Sequence, residues 1–284
     1  MSKKFWVVCT LLCSLGAPGA YAEPVKTIRN VIYGPHEKHR MDAYLPAHAL
    51  KAPVILMVHG GDWRYGDKAN RHVVKNKARY WVGKGFVFIS VNYRLLPDAD
   101  PLVQMGDVAR AVAKAQKIAA YWGGDASRFI LMGHSSGAHL VSLLNTSPDV
   151  ALSAGARPWL GAISLDSAAM DVPALMQREH PRLYDDAFGN DPEYWQQVSP
   201  AHNLGKTASP LLSVCSLNRP DRPCNENMAF KSVAESMGLR VEVLEQAKSH
   251  GEINDDLGAD AFYTRAVDAF MSSLDRGIAT LLHD

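Results

Sequence analysis

Gly133-His134-Ser135-Ser136-Gly137 follows the apolar run Phe129 to Met132 and precedes a second apolar stretch, Ala138 to Leu144. A strand, a tight turn and a helix are therefore expected in succession, and this context lifts a serine hydroxyl clear of its neighbours. The two glycines relieve crowding at such a turn, and the amino terminus of the following helix favours developing negative charge. A serine that merely capped a helix would need neither flanking glycine. The chemistry suggested is nucleophilic attack on a carbonyl by Ser135. That attack needs a base, because a serine hydroxyl is a weak nucleophile near neutral pH, and backbone N–H donors placed in advance for the oxyanion. Donors are expected in His59-Gly60-Gly61-Asp62-Trp63, directly after the apolar run Val54 to Val58. The N–H groups of Gly61 and Asp62, together with that of Ser136, are assigned to the oxyanion hole, and Gly60 to the turn.

Where a nucleophile sits on such a turn, the chain order is serine, acid, histidine. After the last expected strand only His250 and His283 remain, and His283 is the penultimate residue, so His250, in the loop Ser249 to Asn254 expected just past that strand, is the expected base. Three carboxylates are candidates to orient it. Asp221 is preferred, in the loop after the next-to-last strand; Asp166, directly after the preceding strand, and Glu226 are the alternatives.

The elements that must position these residues are legible as short runs rich in β-branched and aromatic residues. They recur at Pro53 to Val58, Phe86 to Val91, Phe129 to Met132, Leu160 to Leu165, Leu211 to Val214 and Val241 to Leu244. Such runs suit strands buried on both faces. Amphipathic patterns through Val108, Val112, Ala115, Ala119 and Trp122, and over Met228 to Met237, alternate with them and imply parallel pairing with helices on both faces. Thr27 to Tyr33 and Arg40 to Tyr44 are expected as antiparallel strands at one edge, and Asp191 to His202 as a surface helix and loop.

With these residues in place, the chain resembles serine hydrolases of the α/β-hydrolase fold. The segments His59 to Trp63, Gly133 to His139 and Ser249 to Asn254 are similar to those of small bacterial HGGxW esterases related to the hormone-sensitive-lipase and feruloyl-esterase groups, and of kynurenine formamidases. The resemblance implies an α/β fold with a mostly parallel central sheet, no large lid domain, no metal or organic cofactor, and hydrolysis of a small-molecule carboxylic ester through an acyl-serine. Formamide hydrolysis uses the same residues and is the alternative. A non-catalytic binding protein on this fold would have no need of the serine, histidine and glycine pattern.

Residues 1–22 carry Lys3 and Lys4, an apolar run from Phe5 to Leu15, and Ala20-Tyr21-Ala22. This is the pattern of an export signal cleaved after Ala22, too short in its apolar part to span a membrane. A single catalytic domain is expected over residues 23–284, in the periplasm or secreted. Loss of Lys3 and Lys4 takes the formal charge from +1 to −1, which points to no nucleic-acid partner. Cys9 and Cys13 leave with the signal. The remaining pair, Cys215 and Cys224, is expected to form one disulfide in an oxidising compartment, across the loop that carries Asp221.

Overall fold

The computed structural model describes residues 26–283; residues 1–22, expected as the export signal, lie outside them. The chain runs β1 (Lys26–Ile32), β2 (Arg40–Leu45), β3 (Ala52–Val58), α1 (Arg71–Gly83), β4 (Val87–Val91) and α2 (Pro101–Ile118), which ends in a 3-10 turn at Ala119–Trp122. It continues through β5 (Gly124–His134), α3 (Ser136–Thr146), the short α4 (Asp149–Ser153), β6 (Gly161–Leu165) and three more short helices: α5 (Val172–Met176), α6 (Arg182–Phe188) and α7 (Pro192–Gln197). The last part is β7 (Leu211–Ser216), α8 (Pro223–Ser236), β8 (Val241–Gln246), α9 (His250–Asp255), α10 (Ala261–Leu274) and α11 (Arg276–His283).

The eight strands of the described residues form one sheet in the order β1-β2-β4-β3-β5-β6-β7-β8. β1 and β2 pair antiparallel at one edge, and every pair from β3 and β4 onward is parallel. This is the α/β-hydrolase fold. Successive residues of a strand point to opposite faces, so β3 sends Val54, Leu56 and Val58 to one core and Ile55 and Met57 to the other. The first core is closed by α2 and α3 through residues such as Val108, Val112, Leu140 and Leu144, and the second by α1 and α10 through Trp81, Val267 and Met271. Both faces being covered explains why these strands read as continuous apolar runs rather than as alternating ones.

The parallel register aligns the carboxyl ends that matter. Val58 is paired with Gly133 across β3 and β5, and His134 with Leu165 across β5 and β6. The loops leaving β3, β5 and β6 thus emerge side by side at one edge of the sheet. One departure from the sequence expectation lies at His250. It begins α9 instead of sitting in a loop, because Ser249 and Glu252 form a reciprocal capping box at the helix start.

Candidate active site

Ser135 lies between β5 and α3 with φ +56° and ψ −122°, and its N–H donates to Leu165 O at 2.9 Å. Left-handed φ at a residue with a side chain costs energy. The flanking glycines make the turn possible by close approach. A Cβ on Gly133 would run into the backbone of Gly137, and one on Gly137 would strike the carbonyl oxygens of Val58 and His59. The loop after β3 is locked against the same turn, since a Cβ on Gly60 would fall 2.8 Å from Ser135 Cβ and 2.7 Å from His134 O.

That loop bends sharply. Gly61 O accepts from Tyr65 N at 2.7 Å and Arg64 N at 3.0 Å, and Gly61, Asp62 and Trp63 all have positive φ. Among the hydrogen bonds of the described residues, the N–H groups of Gly61, Asp62 and Ser136 donate to no protein acceptor, and the buried Ser136 hydroxyl also lacks a partner. Trp63 fastens the loop to α3: its Nε1–H donates to His139 Nδ1 at 3.2 Å, and His139 Nε2–H donates to Val198 O at 2.7 Å. Burial lowers the His139 pKa to about 4, which keeps one ring nitrogen free to accept.

His250, at the first position of α9, places Nδ1 2.5 Å from Asp166 Oδ2. Asp166 follows β6 with φ +60°, is fully buried, and is pinned from two sides. Its N–H donates to Val214 O at 2.8 Å and its Oδ1 accepts from Ser216 N at 2.8 Å. Burial by itself would push the Asp166 carboxyl up, but the hydrogen bond with His250 and the charge of Arg219 outweigh it and hold the group below the ordinary carboxylate range. His134 lies behind His250, its Nε2 3.0 Å from His250 O and the two rings 4.6 Å apart. Burial first, and then the charge of His250, push His134 down to about 3. As a neutral ring it donates from Nε2.

The expectation for the carboxylate is corrected by this geometry. Asp221 does not face His250: its carboxylate is taken by Arg219, with Oδ1 2.9 Å from Arg219 Nε and Oδ2 bound to the Nη2 group. Arg219, three positions beyond β7, occupies the space beside the imidazole, so Asp221, five positions beyond the strand, reaches only the outer side of the guanidinium. Glu226 lies in the first turn of α8 and pairs with Arg178 at 2.5 Å. The Cys215–Cys224 bridge is formed and closes the loop containing both Arg219 and Asp221.

Ser135, Ser136, Asp62, Trp63, Asp166 and His250 line a single cavity of about 230 Å3, completed by Ser167, Ala168, Leu183, Tyr184 and Arg219. Among the described residues seven other than glycine have positive φ, and four of them, Asp62, Trp63, Ser135 and Asp166, line this one cavity. Backbone strain gathers where function requires an unusual geometry. Among the described residues no group of three or more His, Cys, Asp or Glu side chains is placed to hold a metal ion, and no helix is long and apolar enough to cross a membrane. Arg219 is the cationic cavity residue that sequence reasoning passed over. Its one available signal was a cation between two candidate acids.

The model of the BD-FAE family matches residues 41–216. An isoprenylcysteine alpha-carbonyl methylesterase of Arabidopsis thaliana is 26% identical over 245 residues, covering 79% of this chain and 56% of that protein. A kynurenine formamidase of Salmo salar is 31% identical over 120 residues, covering 42% and 38%. The chain thus spans about half the length, or less, of these curated relatives. Among solved structures, a truncated form of carbohydrate esterase from gut microbiota superposes with a TM-score of 0.75 at 20% identity, over 90% of this chain and 98% of that one. At that identity the likeness speaks for the fold.

Proposed function

The chain belongs to the BD-FAE family, and on that premise we propose that it is a serine carboxylesterase acting on small esters of short-chain or aryl acids. One observation carries the reading: the His250 imidazole sits on a buried carboxylate, Asp166, in the same cavity as Ser135. With Nδ1–H donated to Asp166, Nε2 is the basic nitrogen and takes the Ser135 proton as Oγ attacks the ester carbonyl. Asp166 orients the ring and balances the imidazolium that forms. The N–H groups of Gly61, Asp62 and Ser136 receive the oxyanion. Collapse expels the alcohol, protonated by His250, and water then repeats the sequence on the acyl-serine to release the acid. A cavity of about 230 Å3 falls below the ~300–1,000 Å3 of pockets for drug-sized ligands, which supports a small acyl group. Ser135→Ala is expected to abolish both hydrolysis of p-nitrophenyl acetate and labelling by a fluorophosphonate probe; retained turnover would overturn the assignment.

A small acyl cavity also suits a formyl group, and formamidases are among the relatives, so N-formylkynurenine is the second substrate to assay. A faster kcat/KM on it than on any simple ester would favour that reading. For location we propose export to the periplasm or beyond, supported by the pattern of residues 1–22 and by the Cys215–Cys224 bridge.

A further inference from the structure

Arg219 reaches the cavity from the loop after β7 and is bonded on two sides. Nε and Nη2 form a fork on Asp221. Nη1 donates to Asp166 Oδ2 and to the Asp166 carbonyl oxygen, each at 3.0 Å. Nη1 is also 3.2 Å from His250 Nδ1. Two donors make no hydrogen bond with each other, so once Nδ1–H is given to Asp166 this last contact is purely electrostatic, a fixed positive charge at the edge of the ring. Burial opposes the charge, but Asp221 and Asp166 outweigh it and keep the guanidinium ionised.

We propose that Arg219 is a positioning residue for the Asp166–His250 pair, with two separable effects: its bonds to the side chain and backbone of Asp166 set the direction of the carboxylate, and its charge opposes proton uptake by the imidazole. Asp221 anchors Arg219 and partly cancels its charge, a different duty from orienting the histidine. The proposal rests on Ser135, Asp166 and His250 being the reacting set.

The charged and titratable groups around the pair come from several neighbouring elements, among them Tyr263 of α10, whose hydroxyl is within electrostatic range of Asp166. Asp166 follows β6, His134 ends β5, Tyr184 comes from α6 across the cavity, Asp62 stands at the loop after β3, and Lys77 lies in α1 behind His134. Among the described residues, Arg219 is the only cation within hydrogen-bonding distance of the His250 ring. Charge removal at such a distance in a partly buried site moves a titration by about one pH unit.

The test is kcat/KM for p-nitrophenyl acetate from pH 5 to 9, together with the pH dependence of fluorophosphonate labelling, for the wild type and three variants. Arg219→Gln is expected to move the acidic limb up by about one pH unit and to lower kcat about tenfold, with KM changed less than about threefold. Asp221→Asn leaves the Arg219 charge uncancelled and is expected to move the limb the other way. Arg219→Lys keeps the charge and loses the fork, so its limb stays near that of the wild type while kcat falls. A merely structural role would lower the rates without opposed shifts, so limbs that stay put, or move together in Arg219→Gln and Asp221→Asn, would overturn the proposal. Should Arg219→Gln not fold, the downward shift in Asp221→Asn, read against Arg219→Lys, decides the case alone. Failure of the wild type to label would instead overturn the reading of Ser135.

Discussion

At the scale of single residues, Asp166 and Asp221 show how little chemistry a carboxylate has until its neighbours are known. Asp166 is fully buried, faces His250, and has Ser216 N–H on its other oxygen; Asp221 faces a guanidinium. Asp166→Asn is expected to lower kcat by about 10^3-fold or more, because an amide can donate to Nδ1 and select the wrong tautomer. Asp221→Asn is expected to stay within about tenfold at pH 8, and the two measured side by side with p-nitrophenyl acetate separate the roles. The Asp166 carboxyl titrates below the ordinary carboxylate range when folded. Its contribution to stability is therefore present above the unfolded value of about 3.9 and is lost as pH falls through the folded one. Acid unfolding of Asp166→Asn is expected to show a shallower pH dependence below about pH 4 than that of the wild type, read by urea melts.

Among the elements, α9 brings His250 to the cavity and α1 holds α9. Lys77 Nζ donates to Asn254 O at 2.5 Å, Asn76 Nδ2 to Asp255 O at 2.6 Å, and Asn254 Nδ2 to His72 O at 2.9 Å, while His72 Nδ1 lies 2.7 Å from Asp255 Oδ2. The first two satisfy carbonyls at the end of a six-residue helix too short to persist alone, and the other two tie it to the start of α1. Lys77 is fully buried, and burial lowers its pKa to about 7 from an ordinary 10.5. Between those values the unfolded chain binds the proton more tightly than the folded one, so this residue makes stability rise with pH, by at most about 1.4 kcal/mol per pH unit. Lys77→Met is expected to remove that slope; urea melts of both proteins at pH 7, 8 and 9 measure it, and parallel slopes would refute it.

On the scale of the whole molecule, one sheet edge gathers groups that are far apart along the chain, and the bridge ties down the segment after β7 that supplies Arg219. Replacing Cys215 and Cys224 with serine is expected to cost about 2–3 kcal/mol for a loop of this length, seen as a lower denaturation midpoint, with a larger loss of activity than of folded population because Arg219 is released. What the sequence determined by itself was whatever depends on near neighbours. The turn at Ser135 shows in its flanking glycines, the strands in apolar runs covered on both faces, and His250 in its place after the last strand. The start of α9 was equally local, since Ser249 and Glu252 stand at capping-box spacing, although the segment was read as a loop. Tertiary structure alone decided which carboxylate faces His250. Asp166 and Asp221 both follow strands and both precede His250, and nothing nearby in the chain distinguishes them. The difference comes from the pairing of β6 with β7, which brings Ser216 N–H onto Asp166, and from Arg219 filling the space beside the imidazole. A hydrogen bond across 84 positions of sequence is set by that packing, which no local pattern encodes.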